Sequence, residues 1–439
     1  MTMALSQKSD EGSAPDPSAD EADDAGQQSK MMRAFSALTL PQFRTLWLGM
    51  FFSLGAMQTE IVARSWLAFD LSGSAFLLGV VAMARSIPLV ILSPLAGVAA
   101  DRFDRRNLLL VSQSAMLVLA VLNAALVHAG VIEIWHLFVI GLLQGVAFPF
   151  TMPTRTAFMS VLVGKENMAN ALALDSTGRN LNMIAAPALA GILIAWNPTI
   201  AFYAIAVFYG FAVLTLLRLP IGSRGSATSG GTVEQMLYGF RYILANRTLS
   251  VLILLSVVPI LIGMPFQQLL PVFQKDVLEV GPEALGLMFA MVGIGALLGS
   301  LGAAYFSNSP NMGKAQVICG IGFGIALSAF ALSPVYVLSL ACLLLIGLTS
   351  QTYLTINRSL LMLNTDPNLY GRVTSVYVMQ WYFMPVSLLP LGAISDVVGV
   401  SLTVAASGLF ITLFILGMFS RSPQVFRPAS SANVVATGD

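Results

Sequence analysis

Long apolar runs recur along the chain after residue 40, and they restrict its fold more than any other feature. Of the 439 residues, 56% are hydrophobic and only 10% are charged. A bilayer core is crossed by a helix of about 20 apolar residues, whereas a barrel strand alternates apolar and polar residues. Because the runs are long and continuous, they predict an all-α polytopic membrane protein.

Polar breaks divide the apolar runs into twelve predicted transmembrane helices. We predict spans at residues 46–69, 75–99, 108–129, 134–154, 170–195, 199–219, 249–273, 284–306, 314–332, 335–356, 372–394 and 400–420. Several spans contain proline, which a membrane bundle tolerates because neighbouring groups satisfy the freed backbone atoms.

Basic residues lie almost entirely on one side of the predicted bundle. Of the 22 Lys and Arg residues, Arg64, Arg85 and Arg179 lie inside spans, Lys275 falls on the even-numbered side, and the other 18 share the side of both termini. Basic residues near short loops are retained in the cytoplasm. We therefore expect a multi-pass protein of the cell (inner) membrane with both termini cytoplasmic.

The chain is predicted to consist of two six-helix halves. We expect a disordered acidic cytoplasmic tail at 1–40, a first bundle at 41–219, a cytoplasmic linker with a short amphipathic helix at 220–248, a second bundle at 249–421 and a disordered tail at 422–439. The sequence from Arg155 to Pro187 resembles the sequence from Arg358 to Pro390, so helices four and five match helices ten and eleven. Two like-oriented repeats place a substrate site between them at mid-bilayer.

The charged loop after the second helix carries the most specific motif. Residues 97–106 read GVAADRFDRR, which resembles the signature of the major facilitator superfamily. Residues 62–74 (VARSWLAFDLSGS), 153–155 (PTR), 169–174 (ANALAL) and 186–191 (APALAG) are similar to the branch containing the enterobactin exporter and macrolide efflux proteins. The resemblance implies the major facilitator fold and proton-driven export of small, often amphipathic molecules.

The chain departs from this family pattern in the fourth helix and in the second half. A basic residue often stands three positions before Gln144, and this chain has Gly141 there. The loop of the second half that corresponds to residues 97–106 reads SNSPNMG at 307–313 and has no acidic residue.

Five ionisable side chains lie inside predicted spans, where a central charge costs about 2.5–3.5 kcal/mol on insertion scales. Glu60 and Arg64 are four residues apart on the first helix, and Asp175 and Arg179 repeat this spacing on the fifth. Each pair therefore shares one helix face. The resemblance implies that both helices border the central cavity. Arg85 has no partner on its own helix, which leaves a carboxylate on a neighbouring helix as the candidate.

The paired carboxylates can be interpreted in two ways. An adjacent arginine favours the ionised form and desolvation favours the protonated form, so a conformational change could exchange a proton for substrate. We expect Glu60 to carry the proton, with Asp175 as the second candidate and Arg64, Arg85 and Arg179 as partners. In the structural alternative, the pairs only fix helix rotation.

The charged loop is also the expected gate. Its residues are Gly97, Asp101, Arg102, Arg105 and Arg106. The resemblance implies that this loop latches the two halves on the cytoplasmic face, with the aspartate near a helix start in the second half, where negative charge gains about 0.3–1 kcal/mol. The alternative is that the positive charges only anchor the topology.

Aromatic and polar side chains within the spans are the candidates for the substrate cavity, because this mixture suits an amphipathic ligand. They are Gln58, Trp66, Phe148, Asn180, Gln267, Gln268, Tyr353, Gln380, Trp381 and Tyr382.

No residue pattern indicates a cofactor, a metal site or an enzyme. The sequence lacks clustered metal ligands at the usual spacing, a phosphate-binding glycine loop with its lysine, and a nucleophile with an acid/base partner. We expect a monomer that binds a small-molecule substrate, uses protons as coupling ion, is surrounded by membrane lipids and has no nucleic-acid partner.

These observations predict a secondary active transporter, with proton-coupled export of siderophore-like or drug-like amphipathic molecules by alternating access. Two alternatives remain: uptake or uncoupled facilitation of a metabolite, and a non-transporting receptor or lipid-handling membrane protein.

Overall fold

The computed structural model describes residues 36–220, 232–306 and 311–422. Within these ranges twelve helices are long and apolar enough to cross a membrane, which confirms the predicted number. They are α1 (Pro41–Ser72), α2 (Ala75–Arg102), α3 (Arg105–His128), α4 (Ile134–Gly164), α5 (Glu166–Trp196), α6 (Pro198–Leu217), α7 (Arg247–Val277), α8 (Pro282–Phe306), α9 (Met312–Leu332), α10 (Tyr336–Leu363), α11 (Pro367–Val398) and α12 (Val400–Arg421). Nearly all of the two expected tails lies outside the described residues.

The boundary between α4 and α5 differs from the prediction. We expected a polar connection over residues 155–169, but α4 continues to Gly164 and α5 begins at Glu166. Gly164 breaks the helix with φ 69° and ψ 177°, a conformation that side-chain-bearing residues rarely adopt. The helix continues past Arg155, whose charge is paired with Asp175 inside the bundle.

The helix contacts of the first half recur in the second half between helices whose numbers are six higher. In the first half α2 packs on α4 and α3 on α6, and in the second half α8 packs on α10 and α9 on α12. The interface between the halves follows the same symmetry, because α5 packs on α8 and α2 on α11. The fold is therefore two pseudo-symmetric six-helix bundles that meet along two equivalent helix pairs.

Glycine allows the interface helices to approach closely. A Cβ at Gly286 of α8 would lie 2.9 Å from the Cα of Gly191 in α5. A Cβ at Gly392 of α11 would lie 2.8 Å from the carbonyl carbon of Ala75 in α2. Both distances are too short for a side chain, so backbone meets backbone at both helix pairs.

The linker helix (Thr232–Ala245) lies between the halves in sequence and packs against the first turns of α11. The Arg372 guanidinium stands over the Tyr238 ring, 4.7 Å from its centroid. This contact ties the linker helix to the second half.

Turns between helices define two faces of the bundle. We call the face of the α1–α2 and α11–α12 turns the distal face. The opposite face carries the two ends of the described chain.

Candidate functional site

A cavity of ≈350 Å³ lies between the two halves. Its walls come from α1, α2 and α4 of the first half and from α7 and α11 of the second. Four of the expected cavity residues line it, namely Phe148, Gln268, Trp381 and Tyr382, together with two residues of the expected proton-coupling set, Arg64 and Arg85. Sequence reasoning missed its methionines, Met57 and Met384, and its small polar residues, Ser65 and Ser86.

Other expected cavity residues make structural contacts instead. The Tyr353 side chain is fully buried, and its hydroxyl donates to the Leu255 carbonyl at 2.5 Å. Gln380 accepts a hydrogen bond from the Ser256 hydroxyl at 2.9 Å. Both contacts join α7 to other helices of the second half, so these polar groups hold the bundle together away from the cavity.

The remaining expected cavity residues also lie outside the cavity lining. Trp66 packs against the hydrophobic core. Asn180 lines a separate space of ≈40 Å³ between α5, α8 and α10. Gln58 and Gln267 are half-buried and do not border the central cavity.

Glu60 lies behind the cavity wall in a buried polar cluster. It is 1% exposed, and its Oε1 accepts from Nη2 of Arg64 at 2.9 Å. Gln144 of α4 bonds both groups: it accepts from Arg64 and donates to the same Oε1 of Glu60. The other carboxylate oxygen, Oε2, has no hydrogen-bond partner among the described residues. The fully buried Tyr209 of α6 interacts with this carboxylate, and no sequence motif indicated it.

Gly141 makes room for the Arg64 guanidinium. A Cβ at position 141 would lie 2.9 Å from Nη1 of Arg64. The family that this chain resembles often has a basic side chain at this position of α4. In this chain the basic group beside the position comes from Arg64 of α1.

Asp175 is held between two arginines. Its Oδ2 accepts from Arg179 at 2.6 Å, and its Oδ1 forms an ion pair with Arg155 of α4. The expectation that Arg155 lies outside the spans was wrong: it is 5% exposed and lies within α4. The expected pair on one helix is therefore a three-residue cluster joining two helices.

A space of ≈30 Å³ lies between the two buried clusters. Its polar lining residues are Ser53, Gln113, Thr151, Arg155 and Tyr209, and the other lining residues are apolar. This is enough room for a water molecule with several polar partners.

Arg85 makes no ion pair among the described residues. Its guanidinium stands over the Phe148 ring, 4.5 Å from the centroid, and borders the cavity. The candidate carboxylate partner is thus replaced by an aromatic face, which attracts a cation through its quadrupole.

The expected gate residues lie at the end of α2 and the start of α3. Arg105 donates to the Ala157 carbonyl at 3.1 Å, within the first half. Arg106 donates to the carbonyls of Leu216 and Leu217 at 3.0 and 2.8 Å. These bonds satisfy the C-terminal end of α6.

Three further gate residues lie in the last turns of α2. Arg102 is exposed, and Gly97 has open space where a side chain would stand. The Asp101 side chain lies outside the described part of the structure.

The distal face carries polar contacts between the halves. Asp396, near the end of α11, accepts from the Ser74 hydroxyl at 2.6 Å and from the backbone N–H groups of Ala75 and Phe76 at 2.7 and 3.1 Å. Lys275 of α7 pairs with Asp70 of α1 at 2.9 Å. These bonds hold α11 and α7 against the distal ends of α2 and α1.

Comparison with known proteins identifies relatives along most of the chain. A family described as transmembrane secretion effector matches residues 32–434. The staphyloferrin A transporter of Staphylococcus aureus is 25% identical over 350 residues, covering 79% of this chain and 88% of that protein. The enterobactin exporter EntS of Escherichia coli is 24% identical over 370 residues, covering 80% of this chain and 85% of that protein.

Solved transporter structures share the fold. The nucleoside transporter NupG has a TM-score of 0.72 at 14% identity, covering 86% of this chain and 99% of that chain. The D-xylose-proton symporter has a TM-score of 0.66 at 14% identity, covering 87% and 97%. These matches confirm the predicted architecture of two six-helix bundles.

Proposed function

The chain belongs to the transmembrane secretion effector family of the major facilitator superfamily, and from this premise we propose that it is a proton-coupled exporter of siderophore-like amphipathic molecules. It is a multi-pass membrane transporter and not an enzyme. The proposed location is the cell (inner) membrane, with both termini cytoplasmic because basic residues concentrate on their side.

One observation carries this proposal: the ≈350 Å³ cavity takes its walls from both halves. A site at the boundary of two repeats can open alternately to either side when one half rocks against the other. The equivalent helix pairs α5–α8 and α2–α11 supply the surfaces on which such rocking would occur.

The direction and the substrate class rest on the relatives. One relative is a staphyloferrin A transporter and another is an enterobactin exporter. Their match along about four-fifths of this chain supports export of a related class of molecule.

Glu60 is the proposed proton carrier. Its Oε2 can take up a proton without breaking the hydrogen bonds that Arg64 and Gln144 make to Oε1. Asp175 is less suited, because arginines hold both of its oxygens. Arg64 links the carrier to substrate, since the same guanidinium borders the cavity and bonds Glu60. Substrate contact with Arg64 and proton binding to Glu60 are therefore linked through one guanidinium.

The proposed cycle starts from a state closed at the distal face. The contacts of Asp396 and Lys275 hold the halves together there. Opening to the outside requires these contacts to break, while the cavity closes on the cytoplasmic side.

Solute-driven proton movement in proteoliposomes tests this function. Wild type and Glu60→Gln are reconstituted with an internal pH dye, and siderophores, macrolides and sugars are added under an imposed pH gradient. We expect a siderophore-type solute to drive proton flux in wild type and the flux to fall to the level of empty liposomes in Glu60→Gln. Solute exchange without a gradient should persist in the variant, because the cavity wall is intact.

The exposed Glu283 provides a matched control, since Glu283→Gln makes the same chemical change outside the clusters. Proton flux retained in Glu60→Gln would refute the role of Glu60. Exchange without any proton flux in wild type would favour uncoupled facilitation, and the absence of both would favour a non-transporting role.

A further inference from the structure

We propose that the central cavity selects an anionic aromatic substrate, and that Arg85 is the counter-ion that binds its carboxylate or ionised phenolic oxygen. This inference rests on the proposed function, because it assumes that the cavity is the transport site. Beyond the proposed function, the transported molecule is assigned a negative charge and Arg85 is assigned as the residue that binds this charge.

The charge of the site is the first argument. The ionisable cations lining the cavity are Arg64 and Arg85, and no carboxylate is among its described lining residues. Glu60, directly behind the wall, is bonded by Arg64 at 2.9 Å. Glu60 also acts on Arg85 electrostatically, but it forms no ion pair with Arg85 among the described residues. The two arginines and an ionised Glu60 together carry one net positive charge, and proton uptake by Glu60 raises this charge to two.

An unneutralised charge inside a membrane bundle is costly, so such groups pair with one another or mark a substrate path. Because Arg85 forms no ion pair among the described residues, it marks a substrate path. The Phe148 ring covers one face of its guanidinium, and the five N–H donors of an arginine lie in the plane of the group, where an oxygen ligand can reach them. A carboxylate in the cavity would supply the missing charge through paired, charge-assisted hydrogen bonds.

Aromatic walls are the second argument. Phe148 stands on the α4 side, while Trp381 and Tyr382 stand on the α11 side. The Trp381 and Tyr382 rings favour a planar group by stacking, whereas one face of the Phe148 ring is taken by Arg85. The volume of ≈350 Å³ is near the lower end of small-molecule sites, which suits one ring-bearing group better than a large macrocycle.

A cationic amphiphile would be repelled by the charge of this site. It would bring a second positive charge next to Arg85, and the Phe148 face that could attract it is already occupied. Basic drugs are therefore disfavoured, which separates the acidic members of the proposed substrate class from the basic ones.

Binding of three probes with the same ring tests this proposal. Naphthoate, naphthalenemethanol and naphthylmethylammonium differ only in carrying a negative, neutral or positive group. Affinity is measured by calorimetry on the purified full chain in lipid nanodiscs. We expect wild type to bind naphthoate at least about tenfold more tightly than the neutral probe, as for hydrogen bonds to charged groups. The cationic probe should bind more weakly than the neutral one.

Variants then assign the preference to a residue. Arg85→Gln should bind naphthoate and naphthalenemethanol equally, while Arg85→Lys should keep part of the preference. The control is Arg218→Gln, which removes an exposed arginine at the end of α6. Equal binding of all three probes by wild type would overturn the proposal even if Arg85→Gln does not fold, and so would an unchanged preference in Arg85→Gln.

The outcome separates this inference from the proposed function. Naphthoate binding that depends on Arg85, without solute-driven proton flux, would support the anion site and refute proton-coupled export. If neutral and cationic solutes drove proton flux as well as anionic solutes do, this result would support export and refute the anion site.

Discussion

Replacement of Asp396 by alanine should shift the protein toward a state open at the distal face. The carboxylate lies two residues before the end of α11, where its charge opposes the dipole of its own helix. Its placement is explained by α2, whose first N–H groups at Ala75 and Phe76 it accepts. An acid of the second half thus acts as a cap for a helix of the first half.

The size of the effect follows from the three bonds that are lost. Removing a helix cap costs about 0.5–2 kcal/mol, and a negative charge at a helix start contributes about 0.3–1 kcal/mol. These contributions overlap and the site is exposed, so we expect about 1–2 kcal/mol, which is a change of roughly 5- to 30-fold in the equilibrium. Because the bonds exist only while the distal face is closed, their loss favours opening.

Alkylation of a single cysteine measures this equilibrium. Ala68 borders the cavity and is fully buried, so Ala68→Cys in a background without Cys319 and Cys342 should react with an impermeant maleimide only after distal opening. The reaction rate should rise roughly 5- to 30-fold when Asp396→Ala is added.

The control removes an acidic residue of the distal face that caps a helix of its own half. Glu133 begins α4 with a capping box to His136. Glu133→Ala should therefore leave the labelling rate unchanged. Equal rates in the wild-type and Asp396→Ala backgrounds, or an equal rise in Glu133→Ala, would refute the assignment of Asp396 as a contact that closes the distal face.

Two further predictions concern the buried clusters. Asp175→Asn should lower the free energy of unfolding by about 3–5 kcal/mol, because it leaves the buried Arg155 without a counter-charge. Adding Arg155→Leu should recover part of the loss in thermal unfolding, whereas an unchanged melting temperature in the single variant would contradict this account. Gly141→Ala places a methyl group 2.9 Å from the Arg64 guanidinium and should abolish solute-driven proton flux at a stability cost of about 1–3 kcal/mol. Gly417→Ala is the control, since nothing lies within 4 Å of its Cβ position.

The number and order of the helices could be predicted because hydrophobicity over about 20 residues is a local signal. The ion pairs of Glu60 with Arg64 and of Asp175 with Arg179 were also accessible, since a spacing of four places both groups on one helix face. The proton role of Glu60 stays a prediction.

Contacts between helices were not accessible in the same way. Nothing local marks Gln144 as the residue that joins Glu60 to Arg64, or Tyr209 as a group beside the same carboxylate. Arg155 looked like a loop residue because its partner is on another helix. Gly141 shows the same difficulty: the missing side chain on α4 is understood only once Arg64 of α1 is seen beside it.

The cap of α2 also affects when this helix reaches its final structure during synthesis of the chain. Ser74 and Asp396 are separated by 322 positions, so the acceptor is synthesised long after the helix that it caps. At roughly 10 residues per second, α2 exists for about half a minute before its cap emerges. During that time its first N–H groups have only water or lipid headgroups for partners. The distal end of α2 therefore reaches its final form only when α11 has been inserted, and a chain that stops before α11 lacks this bond between the halves.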